Sequence, residues 1–156
     1  MKKILKAIFI IAIPLIVGGL SGFLIRNNVF IYDILIKPPF SLPANLFSIV
    51  WGILYLTMGV SLYLLIKSGA DNDNIINDII LFSFQLLLNF FWPILFFNLR
   101  MFLLAFIELV ILFIFVAITV SNFYKERKSA GIILIPYLTF LVYAGYLNFG
   151  IWFLNI

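Results

Sequence analysis

Five long apolar runs, separated by short polar segments, account for nearly the whole chain. Ala7–Ile25, Leu46–Ile66 and Ile79–Leu99 carry no charge, Met101–Tyr124 carries only Glu108, and Ala130–Leu154 is again uncharged. A helix needs about 20 such residues to cross the hydrocarbon of a bilayer. The pattern therefore predicts an all-α membrane protein, a bundle of five transmembrane helices over roughly 4–25, 46–67, 77–98, 101–124 and 130–154. These form one domain over 1–156, with no room for a soluble domain.

The connections differ in kind. The longest, 26–45, contains Lys37-Pro38-Pro39-Phe40-Ser41-Leu42-Pro43. Three prolines fix φ and remove donors, which predicts a stiff, non-helical lid. The segment Lys67–Asp78 reads as a polar loop, Asn98–Arg100 as a tight turn between antiparallel neighbours, and Lys125–Lys128 as a basic turn. Lys2, Lys3 and Lys6 before an apolar run also describe a signal peptide. The run is long for one and lacks an A-x-A site, so the first helix is expected to be retained, with a kink at Pro14.

Composition sharpens this picture. Of 156 residues, 65% are hydrophobic and only 10% charged, against about a quarter charged in soluble chains. The chain has no cysteine and no histidine, which excludes disulfide frameworks, cysteine nucleophiles and the usual zinc and haem ligands. No metal and no cofactor is expected. The net charge of +4 sits in short loops, where it sets orientation rather than binding nucleic acid. Seven positive residues (Lys2, Lys3, Lys6, Lys67, Lys125, Arg127, Lys128) lie at the amino end and the even loops, against three (Arg26, Lys37, Arg100) on the other side. The bias predicts a cytoplasmic amino terminus, an external lid and an external carboxyl end. The abundance of Ile, Asn, Lys and Phe fits an AT-rich bacterial genome, hence a plasma membrane.

Polar residues inside apolar runs ask for partners or ligands. Gln85, Asn89, Trp92 and Phe96 share one face of the third span. Spacing alone leaves two readings open, helix–helix glue and pocket lining. Trp51 and Tyr55 share a face of the second span, just below the lid, and suit either an interfacial belt or a flat apolar ligand. The fifth span adds Tyr137, Phe140, Tyr143, Ala144 and Asn148. Glu108 lies roughly 10 Å down its helix from Met101. It is expected to be protonated, hydrogen-bonded or facing a wet cavity, with a structural bond and a proton or ligand role both open. Gly18 and Gly22 form a GxxxG pair that would let the first helix approach a neighbour closely.

Taken in order, several of these pieces resemble the TspO/MBR family (tryptophan-rich sensory protein, translocator protein). Lys37-Pro38-Pro39-Phe40 with Pro43, then Trp51-Gly52-Ile53-Leu54-Tyr55 and Met58-Gly59, are similar to its first loop and second helix. The third helix is closer still, from Gln85 through Leu88-Asn89-Phe90-Phe91-Trp92-Pro93 to Arg100, and Glu108, Pro136-Tyr137, Tyr146-Leu147-Asn148 and Trp152 follow in register. The resemblance implies a pocket beneath the first loop that binds porphyrins and haem-pathway intermediates. By matching position it would use Tyr32, Trp51, Tyr55, Asn89, Trp92 and Ala144, with Phe140 and Asn148 beside them and Pro39 and Pro43 stiffening the lid. The family usually carries tryptophan where Phe40 and Phe140 stand and proline where Leu42 stands. A Lys or Arg needed for the proposed cholesterol motif is absent after Lys128. A homodimer is also implied, although Ile79–Leu99 contains none of the small residues associated with that interface.

The leading expectation is a membrane receptor or carrier for tetrapyrroles and similar flat ligands, with no nucleic-acid partner and with the bilayer as its solvent. The alternatives are porphyrin degradation, with Trp51 as the only catalytic candidate, and small-molecule transport with Glu108 as a proton site. Charge bias makes the orientation testable. Cysteines placed at Asn28 and Asn155 should react with an impermeant thiol reagent in whole cells, and one at Ser68 should not; the reverse pattern overturns the orientation.

Overall fold

Each apolar run folds as a long helix. The structure, a computed structural model, describes residues 2–69 and 71–156, with side chains except those of Lys2, Lys3 and Asn72. Two positive charges of the orientation tally, on Lys2 and Lys3, thus lie outside the described residues. The elements are α1 (Lys2–Ile25), α2 (Ile31–Ile34), α3 (Ala44–Ile66), α4 (Asn72–Pro93) continued by a π-helical turn (Ile94–Asn98), α5 (Phe102–Glu126), α6 (Lys128–Ile132) and α7 (Ile135–Leu154). Among the described residues five helical stretches are long and apolar enough to span a bilayer, namely Ile4–Ile25, Ala44–Ile66, Asp73–Asn98, Phe102–Glu126 and Lys128–Leu154. The protein is an all-α, multi-pass membrane bundle.

The differences from the sequence expectation lie at element ends. The lid is not wholly non-helical, because Ile31–Ile34 forms one turn ahead of the first proline. The Lys37 ammonium donates to the carbonyls of Tyr32 at 2.7 Å and Leu35 at 3.2 Å, satisfying the end of that turn. The expected polar loop before the third span is mostly helix, since α4 begins at Asn72 and places Asn74, Asn77 and Asp78 on its first turns. Pro93 lacks an N–H, and the helix beyond it widens: the Leu99 N–H donates to the Ile94 carbonyl at 3.0 Å, an i→i+5 bond. The last span is two helices, because Ile133 and Leu134 form a turn and Pro136 then sits in the first turn of α7. α1 runs helical through Pro14.

In packing order the helices form a ring. α1 lies against α3 and α4, α4 against α5, and α5 against α7, while α3 and α7 make the sparsest side. Outward positions such as Phe9, Phe23, Val142 and Phe153 are exposed and apolar, whereas Ser61, Gln85, Asn89, Thr119 and Asn148 are buried. This inside-out distribution suits a hydrocarbon solvent, in which polar groups must find partners within the protein.

Glycine shapes the α1–α3 contact, but not as the GxxxG spacing implies. A Cβ on Gly18 would collide with the Tyr55 ring, while one on Gly22 would meet nothing within 4 Å. The closest backbone approach is at Gly59, where a Cβ would strike the main chain of Ile11. Gly59→Ala should therefore push α1 off α3 and cost roughly 1–3 kcal/mol by overpacking, read as a lower Tm of the detergent-solubilised protein. Gly22→Ala should leave the Tm unchanged or slightly raised, since alanine favours the helix.

Candidate functional site

α3 brings Phe47, Trp51 and Tyr55 to one face at successive intervals of four, and α4 brings Asn89, Trp92 and Pro93 opposite. Together with Leu15, Gly18 and Gly22 of α1 and Val29 and Tyr32 of the lid they enclose a cavity of about 330 Å³. Its wall is aromatic. The Trp51 and Trp92 rings stack at 6.1 Å and 27°, and Phe47 lies 6.2 Å from both Tyr32 and Trp92. The indole Nε1 of Trp51 is buried with no hydrogen-bond partner among the described residues. Gly19, Gly22, Ser48 and Gly52 are exposed, so the cavity has a small-residue margin between α1 and α3.

Behind the cavity a polar chain crosses the bundle. The Tyr55 hydroxyl donates to Asn89 Oδ1 at 2.8 Å, Asn89 Nδ2 donates to the Tyr137 hydroxyl at 2.7 Å, and that hydroxyl donates to Gln85 Oε1 at 2.9 Å. Trp92 Nε1 donates to Asn148 Oδ1 at 3.0 Å, and Asn148 Nδ2 to the Phe102 carbonyl at 2.8 Å. The face of Gln85, Asn89 and Trp92 thus serves as glue and as lining at once, which spacing could not resolve.

The lid is sewn to α7. The Tyr143 hydroxyl donates to the Phe40 carbonyl at 2.8 Å and accepts the Leu42 N–H at 3.0 Å. Tyr146 donates to the Pro39 carbonyl at 3.0 Å, and Asn155 both accepts the Ile36 N–H at 3.0 Å and donates to its carbonyl at 2.8 Å. Gly150 lies between these anchors, where a Cβ would come within 2.6 Å of the Pro38 ring. The Tyr32 hydroxyl donates to the Leu42 carbonyl at 2.9 Å. Burial, with help from the neighbouring Tyr143, pushes the Tyr32 phenol above its ordinary value, so it holds the proton that bond needs.

Of the residues singled out from the sequence, Tyr32, Trp51, Tyr55, Asn89 and Trp92 meet at the large cavity. Ala144 and Asn148 line a separate crevice of about 10 Å³ behind Trp92. Phe140 stands edge-on to Trp51 at 5.7 Å and 89°, as part of the aromatic packing around it. Pro39 and Pro43 lie in the lid, where Pro39 gives its carbonyl to α7 and Pro43 precedes α3. Glu108 is buried on the inner face of α5, away from the cavity lining, and neither carboxyl oxygen has a hydrogen-bond partner among the described residues. Sequence reasoning did not single out Phe47, which touches four aromatic neighbours. Its spacing of four from Trp51 was the available signal. Gly150 and the bond from Asn122 Nδ2 to the buried Asp78 at 3.0 Å also went unread.

Residues 10–153 match the model of the TspO/MBR family. The chain belongs to that family. This TspO/MBR chain is 35% identical to the tryptophan-rich protein TspO of Chlorobaculum tepidum, over 99% of the chain and 98% of the relative. It is also 35% identical to the tryptophan-rich protein TspO of Archaeoglobus fulgidus, over 98% of the chain and 99% of the relative. The translocator protein of Bos taurus is 34% identical over 78% of the chain and 72% of its own length. Relatives come from bacteria, an archaeon and animals, so membership of the TspO/MBR family does not point to a bacterial source as composition did.

Two substitutions separate scaffold from lid. Asn89→Leu strands the Tyr55 and Tyr137 hydroxyls and should cost about 1–3 kcal/mol, seen as a lower Tm. Tyr143→Phe should leave the Tm nearly unchanged while accelerating amide hydrogen exchange at Leu42 and the surrounding lid.

Proposed function

We propose that this protein is a membrane receptor or carrier that holds flat, largely apolar ligands of the tetrapyrrole class in the cavity beneath the lid. The observation that carries the reading is the stacked Trp51–Trp92 pair in the cavity wall, with the Trp51 indole N–H buried and unsatisfied. A planar macrocycle offers a π-face to the rings, and a carbonyl or carboxylate on it offers the acceptor that Trp51 Nε1 lacks. The volume lies near the lower end of small-molecule sites, and the glycine margin allows part of a larger ligand to extend past it. Relatives named translocator protein and tryptophan-rich protein TspO support a role in ligand handling across or within the membrane. With the lid external, as the charge bias predicts, the ligand enters from that leaflet or that face.

A second reading, light-driven porphyrin oxidation, draws on the contact between Trp51 and position 140. Phenylalanine there keeps the apolar contact but lacks the electron-rich indole, which favours binding over chemistry.

Titration of the purified protein with protoporphyrin in the dark should shift its absorption without loss of pigment. Trp51→Phe keeps a ring but loses the N–H, and should weaken binding by roughly 0.5–1.5 kcal/mol, about 2- to 12-fold in Kd. Under illumination the parent should bleach pigment slowly or not at all, and Phe140→Trp should raise that rate more than the affinity. No spectral shift in the dark defeats the binding reading; rapid bleaching that Trp51→Phe abolishes favours the second.

A further inference from the structure

On the lid side of the bundle, sharing no lining residue with the ligand cavity, the start of α5 and the end of α7 border an open groove of about 480 Å³. Arg100 stands at its mouth with Met101, and Leu103, Leu104 and Ile107 continue it down α5, while Trp152 and Asn155 form the opposite side. We infer that this groove is a binding site for an anionic phospholipid of the lid-side leaflet, with the lipid phosphate on the Arg100 guanidinium and an acyl chain along the α5 stripe.

Three observations carry the inference. First, Arg100 is exposed at the end of a membrane span, and no hydrogen bond or ion pair joins it to any described residue. At that depth its natural counter-charge is a headgroup phosphate, which a guanidinium grips through two parallel bonds. Second, Arg100 holds a left-handed backbone, with φ at 54°. Glycine or asparagine would close the same turn at lower backbone cost, so an arginine here is explained by its side chain rather than by the turn. Third, the groove changes character with depth as a lipid does. Leu103, Leu104 and Ile107 are 43%, 41% and 47% exposed on one face of α5, reaching about 10 Å below Arg100 at 1.5 Å per residue. Trp152, near the lid-side end of α7, lines the same groove and brings the kind of amphipathic ring that settles at membrane interfaces. Charge above and hydrocarbon below match one molecule, an anionic phospholipid, better than a soluble anion or a neutral sterol.

The test compares phosphatidylglycerol with phosphatidylcholine of the same acyl chains, added to the detergent-purified protein and counted by native mass spectrometry. Phosphatidylglycerol should be retained in preference by about five-fold, the factor one basic residue supplies near a charged headgroup. Arg100→Asn, which suits the left-handed turn, should remove the preference, as should Arg100→Gly, while Arg100→Lys should keep most of it. Arg26→Asn, which removes another lid-side cation, should leave it in place. Dark porphyrin binding should be unchanged in all four variants. The proposal is overturned if Arg100→Asn and Arg100→Gly fold and retain the preference, if Arg26→Asn removes it equally, or if inorganic phosphate alone displaces the lipid.

Discussion

Asn89 makes hydrogen bonds from both ends of its amide inside the membrane, and much of the bundle is arranged around that fact. Its oxygen accepts from Tyr55 on α3 and its nitrogen donates to Tyr137 on α7, at 2.8 and 2.7 Å. Hydrocarbon offers no water to replace either bond, so three helices are held in one relative position by the requirement that no polar group be stranded. Tyr137 passes the same constraint on to Gln85. The cavity wall is therefore stiff on its polar side. The sparse contact between α3 and α7 is bridged by this chain and by the edge-on packing of Trp51 against Tyr137 and Phe140.

The other wall is built on different terms. α1 contributes small residues, and its glycines are used singly: Gly18 admits the Tyr55 ring, while Gly19 and Gly22 leave open space. Close backbone contact between α1 and α3 comes instead from Gly59. A rigid, hydrogen-bonded face thus stands opposite a smooth, glycine-lined margin.

Above the cavity, the lid is held by bonds to its main chain as well as by the burial of Ile31 and Tyr32. Three prolines reduce its freedom, and the side chains of Tyr143 and Tyr146 on α7 and of Asn155 just past its end bond to its peptide groups. The lid's tip, Phe40, is 90% exposed and left-handed at φ 63°. Backbone bonding of this kind tolerates a change of lid side chain, because the groups held are the peptide groups of Ile36, Pro39, Phe40 and Leu42.

Much was legible along the chain because membrane solvation is a one-dimensional constraint. Five runs of about 20 apolar residues had to become five spanning helices, and the order of Trp51, Asn89, Trp92 and Glu108 carried the family resemblance. The face that joins Asn89 and Trp92 followed from helical period alone. What period could not reveal was which partner each polar group would find across the bundle, since that depends on the relative rotation of helices far apart in sequence. Tertiary structure alone decided that Asn148 serves Trp92 rather than the large cavity, that Ala144 lies behind the Trp92 wall, that Phe47 is a principal wall residue, and that Gly59 rather than the Gly18–Gly22 pair sets the closest helix contact. Sequence determined how many helices cross and which residues had to be satisfied; packing determined by what, because a hydrogen bond between helices exists only once both have been rotated to face it.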